Sequence, residues 1–294
     1  MVVLFSVRRN RVWWRALVAV IACGWALMAA FAPPQVQAET ARPPAVNVKA
    51  AVVYDATDRK ILYDKRGDEP MYPASTTKLM TAILLVQHLR PEDPVYISET
   101  ASRQPRVRLG LRPGTELTAE QALLALIMKS ANDVAYGIAE TIGGSQAGFA
   151  RMMNVEARLI GCTHTQFVTP NGLHAEAHTT SAKDIALITA KAVTYPRIVR
   201  AMQTPQATIA GKTIRNGNRL LYSPPASIGQ FIGGKTGFTS RAMYCLATAV
   251  RRPSDGHILV SVVFGAPRKS LMYRETVRLL TWANRMSPSE HSAS

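Results

Sequence analysis

Apolar positions change their spacing along the chain, from strand-like runs near both ends to helical repeats in the middle. The strand-like runs predict strands over residues 48–54, 60–64, 208–214, 242–250 and 257–264. The helical repeats predict helices over residues 79–86, 123–128, 133–142, 145–159, 182–188 and 271–285. This order predicts an α+β fold, in which one antiparallel sheet is built from both chain ends around a helical insertion over about residues 90–204.

Short polar motifs mark where several of these elements begin or turn. Thr118 and Gln121 have the spacing of a capping box, and Ser181 marks the start of another helix. The stretch over residues 216–218, Asn-Gly-Asn, is typical of a tight turn after the strand over residues 208–214. Prolines and mixed polarity predict a loop-rich segment over residues 91–113.

The first 38 residues have the three parts of a secretory signal. Arginines at positions 8, 9, 11 and 15 precede a continuous apolar run over residues 16–32. Val36-Gln37-Ala38 follows with small residues, which predicts cleavage after Ala38 and export to the periplasm. An uncleaved membrane tether, lipidation at Cys23 and a twin-arginine signal remain alternatives. Because no second long apolar run follows, we expect no stable membrane span once the signal is cleaved.

Composition limits the partners of the exported chain. The chain has 294 residues, of which 47% are hydrophobic, and this is enough for a packed core in one or two domains. The full chain has a net charge of +16, and loss of the four arginines of the signal would leave +12. This charge favours either contact with anionic envelope polymers or an ordinary solvated surface. No motif indicates nucleic-acid binding. Export would permit a disulfide between Cys162 and Cys245, but a chain of this size needs none, so we expect both thiols to be unpaired.

Ser75 and Lys78 place a hydroxyl and an amine three residues apart at the head of an apolar helix. Residues at this spacing share a helix face, so the amine can reach the hydroxyl. Serine becomes a nucleophile when a base takes its proton, and apolar surroundings lower the pKa of a lysine toward that role. Taken alone, the pair is more typical of an N-cap serine followed by a surface lysine.

Two further motifs favour a catalytic role for this serine and lysine. Ser130-Ala131-Asn132 follows the apolar helix over residues 123–128, and Lys235-Thr236-Gly237 enters a strand pattern. With S-x-x-K, S-x-N and K-T-G in this order, the chain resembles the low-molecular-mass penicillin-binding proteins, in particular the D-alanyl-D-alanine carboxypeptidases. The similarity extends to residues 73–82, 171–173, 178–184 and 238–239.

The resemblance implies a fold and a domain organisation. The fold would be of the β-lactamase/transpeptidase type, α+β with a five-stranded antiparallel sheet flanked by helices. The catalytic domain would cover residues 48–286, after a flexible N-terminus at residues 39–47 and before a disordered tail at residues 287–294. Many relatives continue into a β-rich domain and an anchor helix, and we expect no C-terminal anchor domain here.

The resemblance also implies catalytic roles. Ser75 would attack the carbonyl between the two terminal D-alanines of a peptidoglycan stem peptide, and Lys78 would take its proton. Ser130 would relay a proton to the departing D-alanine. The backbone N–H groups of Ser75 and Phe238 would form the oxyanion hole. β-Lactam antibiotics would acylate the same serine, and the chemistry requires no cofactor or metal.

Substrate-binding roles follow from the same resemblance. Asn132 would hold the peptide amide and help to fix the catalytic lysine. Lys235 and Thr236 would bind the terminal carboxylate, and Gly237 would let the strand backbone approach the ligand. One departure from the family pattern follows this motif, since Met243 stands where relatives usually have glycine.

Other functions share parts of this pattern. A serine β-lactamase needs a deacylating glutamate, and Glu176 lies in the right region without the E-x-x-L-N pattern. An endopeptidase for peptidoglycan cross-bridges and a penicillin-binding sensor without turnover are further alternatives. His174 and His178 have the spacing of a helical zinc site, but the preceding Asn171-Gly172 predicts a loop, and the sequence does not favour a metal.

Overall fold

The computed structural model describes residues 42–286, and the predicted signal peptide and C-terminal tail lie outside this range. Residues 42–49 contain no helix or strand. Val46 is nevertheless buried, and Lys65 Nζ donates a hydrogen bond of 2.7 Å to its carbonyl oxygen. The packed part of the chain therefore begins inside the segment that the sequence predicted to be flexible.

Strands from both chain ends form one antiparallel sheet. The described strands are β1 (Ala50–Asp55), β2 (Lys60–Lys65), β3 (Pro94–Tyr96), β4 (Glu116–Thr118), β5 (Gln206–Ile209), β6 (Lys212–Arg215), β7 (Gln230–Thr239), β8 (Met243–Arg251) and β9 (Ile258–Ala266). Five of them form the main sheet in the order β2-β1-β9-β8-β7, with every neighbouring pair antiparallel. The predicted five-stranded sheet is confirmed, and β7, which carries the K-T-G motif, is an edge strand of it.

Helices cover both faces of this sheet. The described α-helices are α1 (Lys78–His88), α2 (Glu99–Ser102), α3 (Ala119–Leu124), α4 (Asn132–Gly143), α5 (Gln146–Ile160), α6 (Ala182–Ala192), α7 (Pro196–Gln203) and α8 (Lys269–Arg285). In β9, Val260 and Val262 belong to the core shared with α1 and α6, while Leu259 and Val263 pack toward α8. Because both faces of β9 are covered, the strand is apolar except for the buried Ser261 and does not alternate between apolar and polar residues.

The predicted helix starts are present as hydrogen-bonded caps. Thr118 and Gln121 form a complete capping box at the start of α3. Ser181 Oγ accepts a hydrogen bond of 3.1 Å from the backbone N–H of Asp184 at the start of α6. These predictions are confirmed. A cap depends on side chains only a few residues apart, so the sequence alone is enough to identify it.

One local prediction was wrong. Residues 208–214 are not one strand, because β5 and β6 form a hairpin that turns at Ala210 and Gly211, with φ values of +47° and +72°. Asn216-Gly217-Asn218 follows the hairpin instead of closing it, and Asn216 Oδ1 accepts from the backbone N–H of Asn218. The segment over residues 91–113 is loop-rich, as predicted, and contains only the short elements β3 and α2.

Cys162 and Cys245 are buried and unpaired, as the sequence predicted. Over residues 42–286, no helix combines the length and the apolar character needed to cross a membrane.

Candidate active site

Ser75 lies on a tight turn that leads into α1. Residues Ala74–Thr77 form a 3₁₀ turn, and α1 begins at Lys78. Ala74 has a φ of +47°, in a left-handed region that costs a non-glycine residue about 1–2 kcal/mol. Strain of this kind persists where surrounding contacts hold it, often at functional sites. The turn leaves Ser75 partly exposed and buries Lys78 completely.

Lys78 points its amine at the serine and at two further oxygens. Its Nζ lies 3.1 Å from Ser75 Oγ, 2.7 Å from Asn132 Oδ1 and 2.6 Å from the carbonyl oxygen of Asn171. Burial lowers the pKa of Lys78 well below its ordinary value, and the positive charge of Lys235 lowers it further. Asp133 acts in the opposite direction. The amine is therefore directed at the hydroxyl and shifted toward the neutral form that a base requires.

Ser130 and Lys235 form a second hydroxyl–amine pair. The chain leaves α3 through a π-helical turn at Ala125–Lys129, which replaces the second half of the predicted helix over residues 123–128. This turn ends at Ser130, whose φ is +62°. Lys235 Nζ donates to Ser130 Oγ at 3.0 Å and to the carbonyl oxygen of Thr236 at 2.8 Å. Burial lowers the pKa of Lys235 to about 7.

The K-T-G strand approaches the 3₁₀ turn at Ala74–Thr77 through its glycine. A Cβ atom at Gly237 would lie 2.9 Å from the backbone nitrogen of Ser75 and 3.1 Å from Ala74 Cβ. Only glycine fits this approach without a shift of the backbone. The next residue, Phe238, is 55% exposed, and its ring packs against Tyr244 with centroids 4.4 Å apart. Thr236 lies between Lys235 and Gly237 on β7 and is partly exposed.

The structure thus brings together the residues that three distant sequence motifs supplied. Ser75, Lys78 and Asn132 are joined by hydrogen bonds, and Ser130 is joined to Lys235. The two pairs are close enough for Lys235 to affect the pKa of Lys78.

Comparison with known proteins shows the family of the chain. The family described as D-alanyl-D-alanine carboxypeptidase, peptidase S11, matches residues 37–268. The chain belongs to this family. It is 32% identical to the D-alanyl-D-alanine carboxypeptidase DacF of Bacillus subtilis over 80% of this chain and 61% of DacF. It is 31% identical to a D-alanyl-D-alanine endopeptidase of Pseudomonas aeruginosa over 79% of this chain and 76% of that protein.

A solved structure of another family member has the same fold. The D-alanyl-D-alanine carboxypeptidase of Mycobacterium tuberculosis superimposes with a TM-score of 0.79 and 25% sequence identity. The match covers 85% of this chain and 96% of that one.

One loop of this S11 chain contributes contacts that the sequence motifs did not predict. The carbonyl oxygen of Asn171 accepts from Lys78, as described above. Gly172 has a φ of +79°, and a Cβ atom there would lie 1.8 Å from the carbonyl oxygen of Ala74. Asn171-Gly172 indicated a loop, but the sequence does not show which donor a backbone carbonyl will bind. The structure alone shows that this loop packs against the 3₁₀ turn that carries Ser75.

Asp133 is a second residue that sequence reasoning missed. Its carboxylate accepts from the backbone N–H groups of Leu109 at 2.9 Å and Gly110 at 2.7 Å. The neighbouring Asn132 donates from Nδ2 to the carbonyl oxygen of Pro105 at 3.0 Å. These bonds fix the segment before Leu111 against the S-x-N motif. An acidic residue in the first turn of a helix was the available signal, and it indicated only a favourable helix start.

Met243 departs from the family pattern at a position with an unusual backbone conformation. Met243 has a φ of +61°, which explains why the family usually has glycine at this position. It begins β8 opposite Thr239, whose Oγ1 accepts from the backbone N–H of Ala242 in the connecting turn. The residue therefore strains the turn after the K-T-G strand without contacting Lys78 or Lys235 in any described hydrogen bond.

Two other features lie apart from this site. Asp55, Asp58 and His257 have ligand atoms close enough for a metal ion, but Arg252 already lies 3.4 Å from Asp55 Oδ2. A groove of about 1070 Å³ runs beside Leu159 and contains none of the motif residues.

Proposed function

We propose that the chain is a serine D-alanyl-D-alanine carboxypeptidase that trims peptidoglycan stem peptides in the periplasm and so limits cross-linking. The observation that supports this most directly is the fully buried amine of Lys78, 3.1 Å from the hydroxyl of a serine. Membership of the S11 family supports the substrate class. The predicted signal peptide supports the location.

Acylation begins when the neutral amine of Lys78 takes the proton of Ser75 Oγ. The oxygen then attacks the carbonyl carbon between the two terminal D-alanines, and the developing oxyanion lies against the backbone N–H groups of Ser75 and Phe238. Asn132 orients the Lys78 amine through its Oδ1 and holds the substrate amide. Close packing of Gly237 on the turn sets the distance between the two oxyanion donors.

The departing D-alanine leaves on the side of the site formed by Ser130, Lys235 and Thr236. The proton held by Lys78 passes through the hydroxyl of Ser130 to the amine of the departing D-alanine. Lys235 and Thr236 bind the terminal carboxylate, which becomes the carboxylate of the released amino acid. Water then attacks the ester carbonyl and restores the hydroxyl of Ser75. A β-lactam would form the same ester, but its leaving group stays attached to the acyl part.

The test is covalent labelling together with product release. Ser75→Ala should abolish penicillin labelling, and it should lower D-alanine release from a pentapeptide by at least about a thousandfold. Lys78→Ala should impair both reactions while thermal unfolding still shows a folded protein. Intact mass and peptide mapping would locate the adduct. D-Alanine release by Ser75→Ala at the parental rate, or an adduct elsewhere, would refute the proposal.

An endopeptidase acting on cross-bridges is a second candidate, because a relative of that name covers most of this chain. Cross-linked and uncross-linked muropeptides assayed side by side would separate the two activities. Rapid repeated penicillin turnover would indicate a β-lactamase instead, although Glu176 is exposed and not directed at the site by any described contact. Acylation without any peptide turnover would indicate a sensor.

A further inference from the structure

His178 is a buried histidine whose two ring nitrogens both have protein partners. The residue is 1% exposed. The backbone N–H groups of Val168 and Thr169 both point at Nδ1, at 2.9 and 3.1 Å. Because a ring nitrogen that accepts hydrogen bonds carries no proton, the proton of the ring is on Nε2. Nε2–H then donates to Thr77 Oγ1, which is 3.0 Å away.

Thr77 connects this histidine to the catalytic turn. It is the last residue of the 3₁₀ turn that carries Ser75, and Lys78 follows it directly. The side chain of Thr77 is fully buried. Loss of either partner would therefore leave a polar group unpaired in the interior, next to the two residues whose distance matters most.

The segment over residues 168–172 meets the same turn from the other side. Its start is held by His178, as described above. Further along, the carbonyl oxygen of Pro170 accepts from Thr81 Oγ1 at 2.6 Å, and that of Asn171 accepts from Lys78 Nζ at 2.6 Å. His178 therefore bonds both to the turn that carries the nucleophile and to the loop that orients its base.

We infer that His178 is a positioning residue for acylation. Held as its Nε2–H tautomer, it fixes the spacing between the 3₁₀ turn that carries Ser75 and the loop over residues 168–172. Through the Asn171 carbonyl, this spacing sets the direction of the Lys78 amine toward Ser75. His178 contacts no substrate and transfers no proton. The inference rests on the proposed acylation of Ser75.

The neutral state of the ring agrees with this role. Burial, together with the positive charges of the neighbouring Lys78 and His174, lowers the pKa of His178 to about 4. Protonation would place a third donor against the N–H groups of Val168 and Thr169, so the arrangement requires a neutral ring. A neutral side chain with one N–H donor and one acceptor should replace it in part, and glutamine has both groups.

The experiment compares acylation by a penicillin in matched variants. Thr77→Val removes the hydroxyl with little change of shape, and His178→Gln keeps an N–H donor. Thr276→Val is the control, because Thr276 is also buried and its Oγ1 bonds to Met272 within α8. Stopped-flow labelling separates the acylation rate constant from the non-covalent binding constant. Peptide mapping of the wild-type adduct comes first.

Thr77→Val should lower the acylation rate constant by about tenfold and leave the binding constant within about twofold. His178→Gln should lower the acylation rate constant by a smaller factor. The double variant should acylate no more slowly than Thr77→Val, since both substitutions act on the same hydrogen bond. Thr276→Val should acylate normally.

The inference fails if Thr77→Val acylates at the wild-type rate, or if the two single effects multiply in the double variant. If His178→Gln does not fold, Thr77→Val still decides. A wild-type protein without label on Ser75 would instead refute the proposed function.

Discussion

At the scale of the residue, surroundings decide what each lysine can do. Burial lowers the pKa of both Lys78 and Lys235, whereas hydrogen bonds with Asp64 and Asp68 raise the pKa of Lys183. Lys183 lies near the surface, where an ammonium keeps much of its hydration. The same side chain is therefore a candidate base, a carboxylate-binding cation or an ion-pair partner according to its position.

Binding of a carboxylate should draw a proton onto Lys235. Because its pKa in the free protein is about 7, Lys235 is mostly neutral at about pH 8. A bound carboxylate stabilises the charged form and raises that pKa. We therefore expect uptake of about one proton at pH 8 and almost none at about pH 6, with affinity falling as the pH rises above 7. Calorimetry of D-Ala-D-Ala binding to Ser75→Ala, in buffers of different ionisation enthalpy, measures this uptake.

Lys235→Arg provides the control for that measurement, because arginine keeps its charge at either pH. In the Ser75→Ala background it should bind the dipeptide without proton uptake. Uptake that persists in this variant would assign the proton to another group.

At the scale of the element, the site forms where four segments meet, three of them irregular and one an edge strand. These segments are the 3₁₀ turn at Ala74–Thr77, the π-helical turn at Ala125–Lys129, the loop over residues 168–172 and the edge of β7. Ala74, in the 3₁₀ turn, and Ser130, directly after the π-helical turn, have positive φ values. The neighbouring regular elements, α1, α4 and β8, hold these conformations by packing, which is the condition under which strained backbone persists.

Gly172→Ala should separate the loop over residues 168–172 from the 3₁₀ turn that carries Ser75. An added Cβ would lie 1.8 Å from the Ala74 carbonyl oxygen, so one of the two segments must move. Gly211→Ala is the matched control, since its φ of +72° is similar and a Cβ there meets nothing within 4 Å. Gly211→Ala should lower the free energy of unfolding by about 1–2 kcal/mol through backbone strain alone, with normal acylation.

Gly172→Ala should lower the free energy of unfolding by at least about 2 kcal/mol more than the control and slow penicillin acylation by about a hundredfold. Denaturant unfolding and stopped-flow labelling measure the two effects. Equal effects of the two substitutions would show that the close approach to Ala74 is unimportant.

At the scale of the whole molecule, the sheet joins the two ends of the described chain through β1 and β9. The helical insertion carries Ser130 and Asn132, while the K-T-G motif arrives on β7 from the C-terminal part. Global unfolding therefore separates all parts of the site. It also exposes His178, and this couples the free energy of unfolding to pH.

Acid should destabilise the protein through His178. The pKa of His178 is about 4 in the folded protein and 6.5 for an ordinary histidine, so the unfolded chain binds more protons between these values. The free energy of unfolding should fall by about 3 kcal/mol as the pH falls from 6.5 to 4, and this contribution should level off below 4. Urea unfolding across this range measures it. His178→Gln should lose this part of the pH dependence.

His257 provides a contrast within the same experiment. Asp55 raises the pKa of His257, so its contribution is fully present below pH 6.5 and is lost as the pH rises through the higher folded value. The contribution of His257 to the free energy of unfolding should therefore be constant between pH 4 and 6.5. An unchanged pH dependence in His178→Gln would contradict the assignment to His178.

Much of this organisation was predictable because it depends on residues that are close together in the sequence. The capping box at Thr118 and the cap at Ser181 depend on neighbours within one helical turn. The five-stranded sheet followed from the motif resemblance. Four of its strands followed from the residue pattern, whereas β7 was indicated only by the strand pattern around the K-T-G motif. The hairpin of β5 and β6 was missed because an Ala210-Gly211 turn is a weak signal beside Asn216-Gly217.

The sequence by itself determined the residue types, their order and the segments that carry them: a hydroxyl and an amine before an apolar helix, S-x-N after another, and K-T-G on a strand. Only the tertiary structure decided that Lys78 is fully buried, that the Asn171 carbonyl accepts from its amine, and that His178 lies behind Thr77. The physical reason is that burial and backbone carbonyl contacts depend on segments distant in the chain, and pKa shifts follow from both.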